Sequence, residues 1–480
     1  MSNLLATLAS SAGTLEAYGR VLETAQNNVS NASTPGYAKQ RLDLYALPFD
    51  PAGGVTGGVR SGTLVSSRNE FAEQAVRQQS SGLGYQQQLV DSLTSVQSNF
   101  DISGNQGIPQ ALNNLLQSFS AWGATPDNQA ARQTVVQRAT DLAQAFQQSS
   151  NNVSAQASDA EQQINQTVDQ VNQLVGQIKG YNHIAMQGNK SDSGLSANLH
   201  AAVEQLATLV DVNATFQSDG TVSLMLNGET PLLLEDQQFP LSSTLYMPQE
   251  PPPTNANAPA SVRIQASDGS DITSKTTGAQ LGALLHLRNQ ILPSIVGNAY
   301  QPGDLNVMAK QLADRVNQLL TSGNISDGPP AQPGVPLFTY DAANATSAAA
   351  SLAVDSTVTP AQLAAIAPGP PGISNGIPLA LSALASPVQT ADKVDGLSYS
   401  QYYGQIAGRV GTALNDATNN RDVQQSLLSQ AKDLRQQYQG VSLDEEATIL
   451  MQFQRAYQAN SKFISVLDQL TQSAIDILRV

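Results

Sequence analysis

The sequence predicts a mainly α protein with β insertions. In this reading, coiled-coil-like helices from the N- and C-termini pair beside a helical bundle domain, a smaller β-containing outer domain and a Pro/Gly/Ala-rich subdomain. Three observations carry the prediction. Apolar residues recur at helical spacing towards both ends of the 480-residue chain. Two hairpin signals, Asp219-Gly220 and Asn227-Gly228, sit between apolar runs in its middle. Stretches rich in Pro and Gly separate the helical segments on either side.

Residues 1–40 read as one helix followed by an Asn-rich turn. Met1, Leu8, Leu15, Leu22 and Val29 recur every seven residues, with Leu4, Tyr18 and Ala25 three positions after members of that series. The helix runs out into NNVSNASTPGY, where Asn side chains can bond nearby backbone and end it. Pro35 and Gly36 suit the two central positions of a type II turn, the glycine supplying the positive φ. Tyr37 then offers an apolar ring with a polar tip.

Residues 41–205 begin with an extended, Gly-punctuated stretch and continue as a helical bundle broken at DISGNQGIPQ and GATPDNQ. Between those breaks Leu112, Leu115, Leu116 and Phe119 keep helical spacing. Residues 206–280 hold the hairpin signals and read as a β-rich insertion, within which MPQEPPPTNANAP is expected to be an exposed loop. Residues 281–325 return to helix. Residues 326–395, rich in Pro, Gly and Ala, are expected to form an outer surface subdomain. Residues 396–440 are helical again.

The last segment, 441–480, is one long amphipathic helix. Leu443, Leu450, Tyr457, Ile464, Thr471 and Leu478 recur every seven, Phe453, Leu467 and Ala474 fall three later, and Ile449, Ala456, Phe463, Leu470 and Ile477 widen the stripe. Ser442 and Glu445 form a capping-box pattern that starts the helix at Leu443. Each terminal stripe is wider than a two-helix pair buries, so apolar surface should stay uncovered on a single copy.

Composition excludes several functions. A formal charge of −15 with no basic run argues against nucleic acid and against an anionic membrane surface. No apolar run is long enough for a membrane helix or a signal peptide, which predicts a cytoplasmic protein or one exported without a cleaved leader. Cysteine is absent, which removes disulfides and thiolate chemistry. His183, His200 and His286 stand in unrelated contexts with no catalytic motif around them, and Asp444, Glu445 and Glu446 suit the first turn of a helix. No enzyme activity, cofactor or metal is expected.

The run NNVSNASTPGYAKQ resembles the N-terminal signature of the bacterial flagellar axial proteins, the rod, hook and hook-associated family. Asn27, Asn28, Val29, Asn31, Thr34, Gly36, Tyr37 and Lys39 fill the signature's places, and Ser30 stands where alanine is usual. GVSLDEEATILMQFQRAYQAN resembles the matching C-terminal end in the hook-associated branch. LNNLLQSFSAWGATPDNQ and GAQLGALLHLRNQILP resemble interior segments of that branch.

The resemblance implies a structural subunit at the junction of hook and filament, exported unprocessed by the flagellar type III apparatus to the extracellular flagellum. Its implied partners are further copies of itself, the hook protein, the second junction protein and an export chaperone. Subunit contacts are then expected along Leu8, Leu15 and Leu22, and at Asn27, Asn28, Val29, Asn31, Thr34, Pro35, Gly36 and Tyr37. At the other end they are expected at Leu443, Leu450, Phe453, Tyr457, Asn460, Ile464 and Leu467. The alternatives are another axial protein, such as a hook or rod subunit, and a coiled-coil interaction module of another system.

Overall fold

The computed structural model describes residues 2–50, 55–100, 106–189, 192–326, 328 and 330–478. Met1 and the 101–105 part of the first predicted break lie outside them, and so do the side chains of Ile477 and Leu478. In chain order the elements begin with α1 (Ser2–Ser30), β1 (Gln40–Ala46), β2 (Phe49–Asp50), β3 (Val55–Thr56) and β4 (Val59–Ser66). Four helices follow, α2 (Glu70–Gln97), α3 (Gly107–Ala124), α4 (Gln129–Ile184) and α5 (Ser193–Leu209). The strands β5 (Val212–Phe216), β6 (Val222–Leu226), β7 (Thr230–Leu234), β8 (Gln237–Gln238), β9 (Ser242–Tyr246) and β10 (Ser261–Gln265) come next. Then stand α6 (Ala279–His286), α7 (Leu292–Val296) and α8 (Asp304–Ser322). Short pieces follow: β11 (Asn324–Ser326), β12 (Gln332–Pro333), β13 (Phe338–Thr339), α9 (Ala348–Ser351), β14 (Ala353–Val354) and α10 (Gly376–Ser382). Two long helices, α11 (Tyr399–Gln439) and α12 (Leu443–Leu478), end the chain.

The chain gathers into two compact units, each built from discontinuous segments. The first comprises Met1–Ser81, Asn172–Phe239 and Gln424–Val480, and so holds both chain ends. The second comprises Gly82–Val171 and Pro240–Val423.

In the first unit β1 and β4 form an antiparallel hairpin whose register shifts between Leu42 and Leu44. Strands β5 to β8 make a four-stranded antiparallel meander in chain order. Both predicted turns are there. Gly220 has φ of 89°, and Asn227 and Gly228 have φ of 49° and 73°, the paired left-handed conformation of a tight hairpin. Asn182, fully buried near the end of α4, accepts from the Val222 N–H (2.9 Å) and donates to the carbonyls of Val222 (2.8 Å) and Glu235 (2.6 Å), so one amide ties both β6 and the end of β7 to the helix.

The second unit has the larger core. Leu112, Leu115, Leu116 and Phe119 of α3 are all buried there, as their spacing predicts, beside Trp122, Phe146 of α4, Leu312 and Val316 of α8, and Tyr399 of α11. The break before α4 is a capping site, where Asn128 Oδ1 accepts from the Ala130 (2.8 Å) and Ala131 (3.3 Å) N–H groups.

Two boundary readings need correction. The expected single β insertion at 206–280 divides, with β5–β8 in the first unit and β9–β10 in the second. The stretch 326–395 is no separate outer subdomain, because Leu337, Phe338, Ala349, Leu352, Ile377, Leu381 and Val394 belong to the same core as α3 and α8. Asn306 and Asn317 of α8 hold it there. Asn317 Oδ1 accepts from Leu337 and Phe338 N–H groups, both 2.8 Å, and Asn306 Oδ1 accepts from Ala349 N–H at 2.8 Å. Ala348, Ala349, Ala364 and Ala365 of its alanine runs are buried, their small side chains admitting close packing. The proline-rich loop at 247–259 is largely exposed, as its composition predicts, and is anchored at one point: the Asn255 N–H donates to Ala299 O at 3.0 Å, and Asn255 and Ala258 are buried.

Replacing Asn317 by alanine leaves the N–H groups of Leu337 and Phe338, where the chain enters β13, without acceptors. The variant should lose about 2–4 kcal/mol of unfolding free energy, read as a lower urea midpoint; an unchanged midpoint would contradict this account of how α8 holds the segment.

Candidate assembly interface

The two chain ends meet as an antiparallel helix pair. Tyr18 of α1 packs edge-on against Phe453 of α12, ring centroids 5.5 Å apart, and Asn460 Nδ2 donates to Ser11 O at 2.7 Å. The buried line of α1 is Ser11, Thr14, Ala17, Val21, Ala25 and Asn28, spaced three or four apart and mostly small. The predicted leucine seam is therefore displaced. Leu8, Leu15 and Leu22 flank that line half-buried, and Val29 is exposed. Small residues let the helix approach its neighbours closely, which is why they and not the leucines take the centre. Thr14 also accepts from the Val59 N–H of the hairpin at 3.1 Å. On α12 Leu450, Phe453, Asn460 and Ile464 are half-buried and Leu467 is buried, whereas Leu443 and Tyr457 face solvent.

The Asn-rich segment answers to its sequence in detail. Tyr37 N–H donates to Thr34 O at 3.1 Å and Gly36 has φ of 73°, as a type II turn at Pro35-Gly36 requires. A Cβ on Gly36 would stand 2.3 Å from Ala197 O, so glycine is demanded by packing as well as by φ. Asn31 donates to Asn27 O at 3.0 Å and accepts from Thr34 at 3.1 Å, while Asn27 donates to Ser193 at 3.3 Å.

Asn28 is the centre of the site and only 1% exposed. Its Nδ2 donates to Gln40 O (2.8 Å) and Glu446 Oε2 (3.2 Å), and its Oδ1 accepts from Gln40 N–H (2.9 Å) and Tyr37 Oη (2.8 Å). All four bonds available to an amide are made. One side chain thus ties the end of α1 to the start of β1 and the start of α12. Asn28 was expected at a subunit contact; it is instead enclosed by its own chain, and Tyr37 turns its hydroxyl inward to it.

The acids at the start of α12 take part in this closure. Lys39 Nζ lies 2.8 Å from Glu445 and 3.3 Å from Glu446, the latter 1% exposed. Burial pulls the Lys39 ammonium down, but its two carboxylate partners outweigh that and hold its pKa above the ordinary lysine value. The predicted capping box is half-made. Glu445 N–H donates to the Ser442 hydroxyl at 3.4 Å, while the Glu445 carboxylate turns to Lys39.

A second buried network escaped the sequence reading. Glu73 pairs with Arg68 (2.5 Å) and Arg435 (3.2 Å) and accepts from Gln439 (2.7 Å), and Arg435 also reaches Glu204 at 2.6 Å. Arg68 Nη2 donates to Gly36 O at 2.7 Å, which links this network to the turn. Its members come from α2, α5, α11 and the link before α2, and only their even mix of acids and bases hinted at pairing. Beside it His200 stacks on Phe216 at 4.0 Å between ring centroids. His183 is exposed beside Gln187, and His286 bonds Tyr85; among the described residues no three His, Asp or Glu side chains gather as metal ligands would. No helix among them is long and apolar enough to cross a membrane.

One flank of α12 stays uncovered. Ala459, Phe463, Val466 and Leu470 follow one another at i, i+4, i+7 and i+11, and the three large ones are 48%, 52% and 54% exposed. An uninterrupted apolar row of this kind leaves a contiguous apolar surface in water beside the paired face.

Residues 93–338 match the model of the flagellar hook-associated protein FlgK helical domain, and residues 424–477 match that of the flagellar basal body rod FlgEFG protein C-terminal. The chain belongs to the FlgK family of flagellar hook-associated proteins. It is 24% identical to flagellar hook-associated protein 1 of Bacillus subtilis (strain 168), across 96% of each chain. Its fold is similar to the flagellar hook junction protein FlgK from Burkholderia pseudomallei, with a TM-score of 0.63 at 14% identity, covering 77% of this chain and all of that one. The C-terminal match spans the end of α11 and nearly all of α12, so the helix bearing the uncovered row lies within a family segment.

Replacing Asn28 by alanine strands the Gln40 N–H, the Tyr37 hydroxyl and the buried Glu446 carboxylate. The cost should be about 3 kcal/mol, against less than about 0.5 kcal/mol for exposed Asn27→Ala, both read by chemical denaturation. Acid should weaken the fold through His200. Burial first, and the nearby charges of Arg68, Arg77 and Arg435 next, hold its pKa well below 6.5, and burial lowers half-buried His286 as well. The unfolded chain then binds protons that the folded chain refuses, so stability falls as pH drops through and below the ordinary histidine value. Melting temperature should fall between about pH 7.5 and pH 5, and fall less steeply in His200→Leu.

Proposed function

We propose that the chain is a structural subunit of the junction between flagellar hook and filament, adapting one to the other by stacking its terminal helices against those of neighbouring copies. The observation that carries this reading is the uncovered row of Phe463, Val466 and Leu470 beside the closed α1–α12 pair. A helix already paired on one face and still apolar on the next can join a second helix without unpairing, which is the arrangement a tube of side-by-side helices needs. Covering each half-exposed side chain contributes about 1 kcal/mol, and a ring of copies repeats that gain at every contact.

The same reading assigns no catalysis to the chain. Its partners are further copies of itself, the hook protein and the second junction protein. An export chaperone would cover the α12 stripe until secretion, and the flagellar type III route would carry the chain out without removing a leader. The family match and the full-length relative support this reading over a hook or rod subunit or an unrelated coiled-coil module.

Phe463→Asp and Leu470→Asp should block incorporation into flagella while leaving the purified chain folded, because both side chains are already in water. Leu467→Asp differs, since Leu467 is buried and its charge would disturb the single chain itself. Sheared flagella probed with antibody for the subunit, alongside circular dichroism of the purified variants, separate the two effects. Normal incorporation of both exposed-row variants would refute the stacking role. A strain lacking the gene should show bare hooks by electron microscopy and flagellin in the medium; normal filaments would place the chain elsewhere in the flagellum.

A further inference from the structure

A cavity of about 900 Å³ opens in the second unit, beneath the β9–β10 hairpin and the 247–259 loop. Its size is that of a small-molecule site, and nothing in the assembly role uses it. Its floor is an irregular turn of helix at Leu287–Ile291, wound wider than α, between α6 and α7. Such turns aim side chains that a regular helix would stagger. Asn289 from this turn accepts from Val262 N–H (2.9 Å) and donates to Val262 O (2.8 Å), standing in for a third strand along β10. The wall is therefore bonded in place and does not depend on a ligand for its shape.

Three tyrosines from separate elements face this space: Tyr85 of α2, Tyr246 of β9 and Tyr300 of the loop before α8. Tyr85 is hydrogen-bonded to His286 Nδ1 at 2.7 Å, with the rings near parallel. Burial holds His286 below its ordinary pKa, so it adds no charge at neutral pH. Arg263 stacks on the Tyr246 ring, 3.1 Å from its centroid, and pairs with Asp271 at 2.9 Å. Tyr300 is 45% exposed and Glu250 stands exposed on the rim.

These features sort ligand classes. An anion finds no uncompensated cation, because Arg263 is neutralised by Asp271. A cation finds the Tyr246 face already occupied by Arg263, and Glu250, the acid left to pair with it, stands in water on the rim where such a pair contributes little. A wholly apolar ligand would strand the polar lining. A neutral ring with C–H faces and hydroxyl edges suits the set: Tyr300 offers a flat apolar face, Glu250 two acceptors and Arg263 further donors. We propose that this cavity binds a neutral oligosaccharide, with Tyr300 as the stacking platform and Glu250 and Arg263 holding hydroxyl groups.

Saturation-transfer NMR on the full chain with maltotetraose and with chitotetraose tests it. At least one should receive saturation on its ring protons. Tyr300→Ala and Glu250→Gln should each weaken binding about threefold to tenfold, with the melting temperature unchanged, whereas Tyr45→Ala, an exposed tyrosine of the other unit, should leave it as it was. Absence of transfer to both sugars, or equal binding by Tyr300→Ala, would overturn the proposal. Tyrosine-dependent transfer to a polyproline peptide in place of the sugars would overturn it in favour of a peptide site.

Discussion

The unit that holds both chain ends depends on one buried amide. Asn28 is the point at which α1 stops, β1 starts and α12 is received, and it meets all three with the four bonds an amide can make. No other side chain of that size donates twice and accepts twice, apart from the longer Gln, whose extra methylene would displace every partner. A carboxylate here would face Glu446 with like charge, and a hydroxyl would leave partners unmet. The Asn-rich run is thus a joint first, and whatever touches a neighbouring copy must do so with the surface this joint presents.

The same device recurs where a helix must hold irregular chain. Asn182 carries the β5–β8 meander, Asn289 edges β10, and Asn306 and Asn317 bind the stretch after α8. A chain with 13% charged residues and no cysteine has few ion pairs and no disulfides to fix such segments. Amide groups that mimic a backbone partner fill that need at a net gain of about 1 kcal/mol per bond and a larger loss when one is removed. The Asn-rich composition is in part the record of this solution.

What could be read beforehand follows from range along the chain. Helical spacing showed α3 and α12, dipeptides showed both turns of the meander, and the Pro-Gly pair showed the type II turn, because each depends on residues close in sequence. The leucine seam of α1 misled because period alone does not say which of two adjacent stripes meets the partner; the small residues one step round the helix came closer. Proline and alanine content suggested an outer subdomain at 326–395, yet its place in the core is decided by amides of α8, a separate element. The Glu73 network was illegible for the same reason, since Arg68, Glu204 and Arg435 share no local pattern.

If α12 stacks on neighbouring copies as proposed, its two faces meet opposite demands. Closing the ends needs a seam strong enough to keep α1 and α12 together, and joining other copies needs apolar surface left in water. A stripe that served only the first demand would be narrow, and one that served only the second would leave the ends unpaired. Here Phe453, Ile464 and Leu467 turn to α1 while Phe463, Val466 and Leu470 stay outside. The directional bonds of Asn28, Lys39 and Asn460 fix which face is which, a choice that hydrophobic burial, being non-directional, cannot make. Polar bonds set the register of the pair, and that frees the apolar residues on the flank for contacts outside the chain.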